Sequence, residues 1–188
     1  MKKKTWILIA VAFAAVMILA AVLYPKLAKK HDAPEKKKAR TESTAAEEVV
    51  QVDDFTVYDA QMNEVKLSDS FGKPIVVNFW ASWCGPCKSE LPAFQTLYEK
   101  YHDEVVFLMV NLTDNQVDTV SSIQAFVADN GYSFPVYYDV RADAANTYGV
   151  YSIPETVFIY ADGSLCDTRI GAMDEATAED YIKQLLGE

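Results

Sequence analysis

Apolar residues along the chain fall into one long uninterrupted run, two short continuous runs, and stretches that repeat at strand or helix spacing. The short runs, 75–79 and 105–110, are what a strand covered on both faces looks like. Between 49 and 67 the pattern alternates loosely, with Phe55, Val57, Val65 and Leu67 inward and a turn at 59–63, so a hairpin is predicted ahead of the main sheet. Ser68, Asp69 and Ser70 then read as the cap of a short helical turn. From Cys84 to Tyr101 the residues Leu91, Phe94, Leu97, Tyr98 and Tyr101 form one helical face, which Pro92 should kink. Val117, Val120, Ile123 and Val127 predict a helix over 117–129, followed by a strand at 135–139 and a short helix at 142–148 stopped by Gly149. An Asp162-Gly163 turn joins two strands, 156–160 and 164–170, and a last helix over 175–186 carries Tyr181, Ile182, Leu185 and Leu186. Strands separated by helices, then a hairpin and a final helix, predict an α/β fold built on a mixed sheet.

The long run is different in kind. Residues 6–24 carry no charge and follow Lys2, Lys3 and Lys4, a run long enough for a helix to cross a bilayer, so an uncleaved anchor is expected, with a removed signal sequence as the alternative. The chain therefore divides into a short basic N-terminus (1–4), a transmembrane anchor (5–24), a tether (25–48) and one folded domain (49–188). The tether is rich in Lys, Ala, Glu, Ser and Thr, a composition that cannot bury enough surface to offset the entropy of ordering. Its lysines stand ready to meet anionic lipid headgroups or simply water. Three lysines precede the span and seven basic residues follow it, a count that alone favours a cytoplasmic domain. The layout of a short basic start, an apolar run and a large domain points the other way. A single-pass protein of the cell membrane with its domain outside the cytoplasm is the expectation, and it leans on the resemblance given below.

Charge sharpens this division. Ten of the 17 Lys and Arg lie in residues 1–40, leaving seven basic against 25 acidic side chains in residues 41–188, a net of −18. So acidic a domain repels phosphates, and nucleic acid is excluded as a partner.

The chemistry sits where the run 75–79 hands over to a helix. Cys84 and Cys87 are separated by Gly85 and Pro86, and the partial positive charge of a helix start favours a thiolate. Cys84, at the exposed entrance, is the expected nucleophile, and Cys87, one turn in, the partner that closes the disulfide. A zinc site would need two more ligands. Only Cys166, His31 and His102 are on offer, with His31 in the tether and His102 in a polar stretch, so no metal is expected and the pair is read as redox chemistry needing no dissolved cofactor. Cys166 reads as a free thiol within the last strand.

Trp80, the run Trp83-Cys84-Gly85-Pro86-Cys87-Lys88, Pro92 and the later stretch 149–156 containing Ile153-Pro154 together resemble the thioredoxin fold, over 49–188. The anchor, the added N-terminal hairpin, the strand-helix insertion around 117–130 and the run from Cys87 to Pro92 more narrowly resemble membrane-anchored extracytoplasmic thiol-disulfide oxidoreductases of bacteria, a group that includes reductases acting in cytochrome c maturation. The resemblance implies that Ile153-Pro154 is a cis-proline facing the dithiol, with Trp83, Gly85, Pro86, Ile153 and Pro154 forming the surface that meets substrate. Glu155 departs from the small residue often found after that proline, which bears on which peptides are accepted. Asn78 stands where thioredoxins carry a buried aspartate and cannot act as that base. Glu90, one turn after Cys87, is the matching acid expected to take the proton of Cys87; the alternative is a solvated glutamate on the helix surface. The resemblance further implies disulfide-containing exported proteins as substrates, apocytochrome c or a methionine sulfoxide reductase among them, and a membrane electron donor. Rival readings are a thiol oxidant or isomerase using the same site, and a redox-silent binding module.

Overall fold

The structure, a computed structural model, describes residues 49–188. The expected membrane span, the expected tether and His31 lie outside the described residues. No helix among those described is long and apolar enough to cross a membrane.

Seven strands form one mixed sheet. In chain order they are β1 (Thr56–Tyr58), β2 (Glu64–Lys66), β3 (Ile75–Trp80), β4 (Val106–Asn111), β5 (Val136–Tyr138), β6 (Glu155–Ile159) and β7 (Leu165–Ile170). They lie side by side as β2-β1-β5-β4-β3-β6-β7. β3, β4 and β5 run parallel, while β6 and β7 at one side and β1 and β2 at the other pair antiparallel. The helices are α1 (Gly85–Tyr101), α2 (Val120–Asp129), α3 (Asp143–Tyr148) and α4 (Glu175–Leu186), with one 3-10 turn at Leu67–Ser70. The expected hairpin is present, and it joins the sheet through β5, the strand that follows the inserted helix α2.

The central strands are apolar on both faces because helices cover both. Val76 and Trp80 of β3, Phe107 and Met109 of β4 and Phe158 of β6 meet Leu91, Phe94 and Leu97 of α1, Ile123 of α2 and Ala178, Ile182 and Leu185 of α4. Their neighbours in sequence, Ile75, Val77, Phe79, Leu108, Val110, Val157 and Ile159, point the other way, onto Ala144 of α3 and onto Phe55, Val57 and Leu67. The strand period of two does this sorting. Each large side chain buried this way contributes about 1.5–3 kcal/mol.

One boundary differs from expectation. α2 starts at Val120, not Val117, because Thr119 caps it: its hydroxyl accepts from Ser122 N–H while Ser122 Oγ accepts from Thr119 N–H. Val117 matches the helical spacing yet is exposed ahead of that cap. α1 runs from Gly85 to Tyr101 and contains Pro92 on its exposed side.

Candidate active site

Cys84 and Cys87 are joined, with an S–S distance of 2.04 Å. Cys84 is the N-cap of α1, and its sulfur accepts the Cys87 backbone N–H at 3.1 Å. Pro86 fits just inside the helix start, where the N–H it lacks would have had no partner. An N–H aimed at the sulfur, at the positive end of a 17-residue helix, favours the thiolate once the bond is reduced. Cys84, expected at an exposed entrance, is only 6% exposed, and Cys87 is fully buried. The reason is the wall around Cys84: its N–H bonds Ala81 carbonyl at 3.2 Å, and its sulfur lies 3.7 Å from the Ile153 carbonyl oxygen. Ile153-Pro154 is a cis peptide, and Pro154 is buried. Trp83, Gly85 and Pro86, the chain neighbours of the cysteines, are exposed, as is Tyr151, two residues before Ile153.

Beneath the dithiol lies an acid. Glu90, one turn along α1 from Cys87, is 1% exposed and so is not the solvated helix-surface glutamate that was the alternative. Its Oε1 accepts from Asn78 Nδ2 at 2.8 Å, and its Oε2 from the Met173 backbone N–H at 3.0 Å. The same Asn78 nitrogen donates to Thr156 Oγ1 at 2.9 Å. Burial pushes the Glu90 carboxyl up to about 7, while the bonds from Asn78 and Met173 pull against it. A carboxyl raised in this way can take up or give up a proton near neutrality.

A model for the AhpC/TSA family matches residues 50–168. The chain belongs to that family. Within it, the thiol-disulfide oxidoreductase ResA of Bacillus thuringiensis strain Al Hakam is 33% identical over 131 residues, covering 70% of this chain and 74% of the relative. Among solved structures, StoA from Bacillus subtilis superposes with a TM-score of 0.61 at 26% identity, covering 69% of this chain and 96% of that one. A putative thiol:disulfide interchange protein DsbE from Chlorobium tepidum gives 0.66 at 28% identity, covering 74% and 97%. A cysteine pair at bonding distance on a helix start, in an AhpC/TSA chain of this kind, makes the protein a thiol-disulfide oxidoreductase with a thioredoxin-like fold.

Two groups that complete the surroundings of Glu90 come from elements remote in the chain, Thr156 through Asn78 and Met173 directly. Thr156 has a signal in the sequence, because alternation from Pro154 turns it to the face of β3 that carries Asn78, which it directly opposes. Met173 has none, since it contributes a backbone N–H from the loop between β7 and α4. Glu155, the departure after the cis-proline, is 4% exposed, and its Oε2 accepts no hydrogen bond. Burial raises its pKa. Cys166 is a half-buried free thiol at the hairpin end of β7. Ile170 at the other end of β7 opposes Glu155, so Cys166 sits about 13 Å along the strand from the Pro154 end, too far to join the exchange.

Proposed function

We propose that this oxidoreductase reduces disulfides in proteins outside the cytoplasm. The observation that carries the reading is the meeting of three parts: a sulfur on a helix start, the Ile153-Pro154 backbone beside it, and a buried acid one turn behind Cys87. The Cys84 thiolate attacks one sulfur of a substrate disulfide; a mixed disulfide forms and the substrate's other sulfur leaves as a thiolate. Ionised Glu90 takes the proton of the Cys87 thiol. Cys87 then attacks the Cys84 sulfur, the Cys84–Cys87 bond closes, and the second substrate sulfur is released. The substrate has gained two electrons, and protons from Glu90 and solvent complete its thiols. Two electrons and two protons from a membrane dithiol donor restore the enzyme.

Direction and place follow from supporting observations. A reductase needs Cys87 to lose its proton readily at neutral pH, which an acid titrating at about 7 allows. The uncharged run 6–24 supports an anchor in the cell membrane. A structural relative at 28% identity and TM-score 0.62 is described as a pneumococcal exposed lipoprotein thioredoxin of Streptococcus pneumoniae, which supports the domain's external side. Apocytochrome c and methionine sulfoxide reductases remain the substrates to test first.

The Cys87→Ala protein tests the reading, since it should accumulate substrates joined covalently to Cys84. Absence of trapped partners, or a reduction potential near about −120 mV and not near about −270 mV, would reverse the assignment to an oxidant or discard it. Protease treatment of intact cells checks the topology: a domain left uncut contradicts external placement.

A further inference from the structure

The turn that delivers Cys84 is held from a distant loop. Asp118 lies in irregular chain between β4 and α2, where side chains are ordinarily solvated, yet it is 0% exposed. Its Oδ2 accepts from the Ser82 backbone N–H at 2.8 Å and from Asn111 Nδ2 at 2.9 Å, and its Oδ1 is bonded by the Ser82 hydroxyl. A carboxylate is costly to bury without donors, and these three supply them. The loop around it is shaped to present that side chain. Asp114 Oδ1 gathers the N–H groups of Gln116, Val117 and Asp118 at 2.8, 2.8 and 3.0 Å, and Asn115 sits in the left-handed region with φ of 59°. Asn111 is oriented in turn by Thr113, whose hydroxyl bonds its Oδ1 at 2.9 Å. The segment 81–84 is thus fixed by β3 at one end, by α1 at the other and by Asp118 in the middle.

We propose that Asp118 is a positioning residue for disulfide exchange: by holding Ser82 it keeps the Cys84 sulfur aligned with the Ile153-Pro154 backbone on which a substrate strand lies. The proposal rests on the reductase reading above. Sulfur attack requires the incoming sulfur to approach along the substrate's S–S axis. A peptide laid along Ile153-Pro154 cannot turn to follow a displaced nucleophile, whereas a small free disulfide can. Loosening Ser82 therefore penalises the peptide selectively, by roughly tenfold for a displacement well below an ångström.

The experiment compares reduced full-length protein with Asp118→Ala, Asp118→Asn and Asp114→Ala, measuring the rate of attack on a short cyclic peptide closed by one disulfide and on hydroxyethyl disulfide. Asp139→Asn is the control for plain destabilisation, because Asp139 is similarly buried but accepts from N–H groups at the start of α3, among them those of Ala144 and Ala145, and not from Ser82. Asp118→Ala should slow the peptide roughly tenfold and the small disulfide less than twofold. Asp118→Asn, which keeps one oxygen for Ser82, should recover part of that loss. Asp114→Ala, which leaves the Asp118 side chain intact but undoes its loop, should reproduce the selectivity even where Asp118→Ala folds poorly. Equal losses on both probes, no loss, or the same selectivity in Asp139→Asn would overturn the role of Asp118 and leave the reductase standing. Wild-type protein inert to both probes would remove the reductase reading and this inference with it.

Discussion

Replacing Glu90 by Gln makes the sharpest test of the buried acid, because it predicts that two stability curves cross. Burial raises the Glu90 carboxyl from 4.5 to about 7. Between those values the folded protein holds a proton that the unfolded chain has released, so stability is full below 4.5, falls as pH rises and reaches its lower plateau above about 7. At about 1.4 kcal/mol per pH unit across that interval, the loss is about 3 kcal/mol. Gln has the same shape and no charge, but its amide offers one acceptor to two donors, Asn78 Nδ2 and Met173 N–H, and forfeits one hydrogen bond worth about 1 kcal/mol at every pH. The variant should therefore be less stable than wild type by about 1 kcal/mol at about pH 3.5, level with it at about pH 5 and more stable by about 2 kcal/mol at about pH 8. Urea unfolding of the oxidised protein, followed by tryptophan fluorescence, reads both numbers. Parallel curves would mean that Glu90 titrates normally, and the proton acceptor assigned to Cys87 would be lost.

Other perturbations probe the surroundings. Asn78→Asp sets a second carboxyl against Glu90, where the amide now lies 2.8 Å away; like-charge repulsion should move the carboxyl titration, followed by NMR, upward by about one pH unit or more, and no movement would mean the two groups are not in contact. Leu91→Ala empties a fully buried position between α1 and the sheet and should cost about 3 kcal/mol in a urea titration, a loss under about 1 kcal/mol contradicting the packing. Gly163→Ala forces a side chain onto φ of +83° and places its Cβ 3.0 Å from Phe71 Cζ. It should lower stability by about 1–2 kcal/mol, and an unchanged urea midpoint would show that the turn relaxes freely.

The parts of this site that sequence makes legible are those fixed by neighbours in the chain. The run Ile75-Val76-Val77 announces a strand, and Gly85-Pro86 between two cysteines announces a helix start, because strand and cap preferences act over a few residues. Glu90 is legible as an acid one turn from Cys87. Its burial is not, since that depends on Asn78 from β3, Thr156 from β6 and Met173 from a loop, three elements that meet only in the folded sheet. The depth of Cys84 is hidden for the same reason: the carbonyl that shields it belongs to Ile153, 69 residues away. Val117 misleads because helical spacing cannot see that Thr119 and Ser122 cap the helix after it. Asp118 gives no signal at all, being one acid among many in an acidic domain until the fold sets it against Ser82.

The register of β6 against β3 is where these pieces become one device. Asn78 opposes Thr156 and Phe79 opposes Glu155, so the hydroxyl faces Glu90's side of the sheet and the second buried acid faces α3's side. Slipping β6 by a single residue would exchange the two faces. Glu155 would then stand across from Asn78 in place of Thr156, adding a carboxylate beside Glu90 where like-charge repulsion would drive its titration away from neutrality. The same slip would move Pro154, and with it the Ile153 carbonyl that now lies 3.7 Å from Cys84. Proton acceptor and substrate backbone are therefore set by one alignment. The apolar packing of Val157 and Ile159 on one face and Phe158 on the other holds that alignment from further along the strand, well away from the reacting sulfurs.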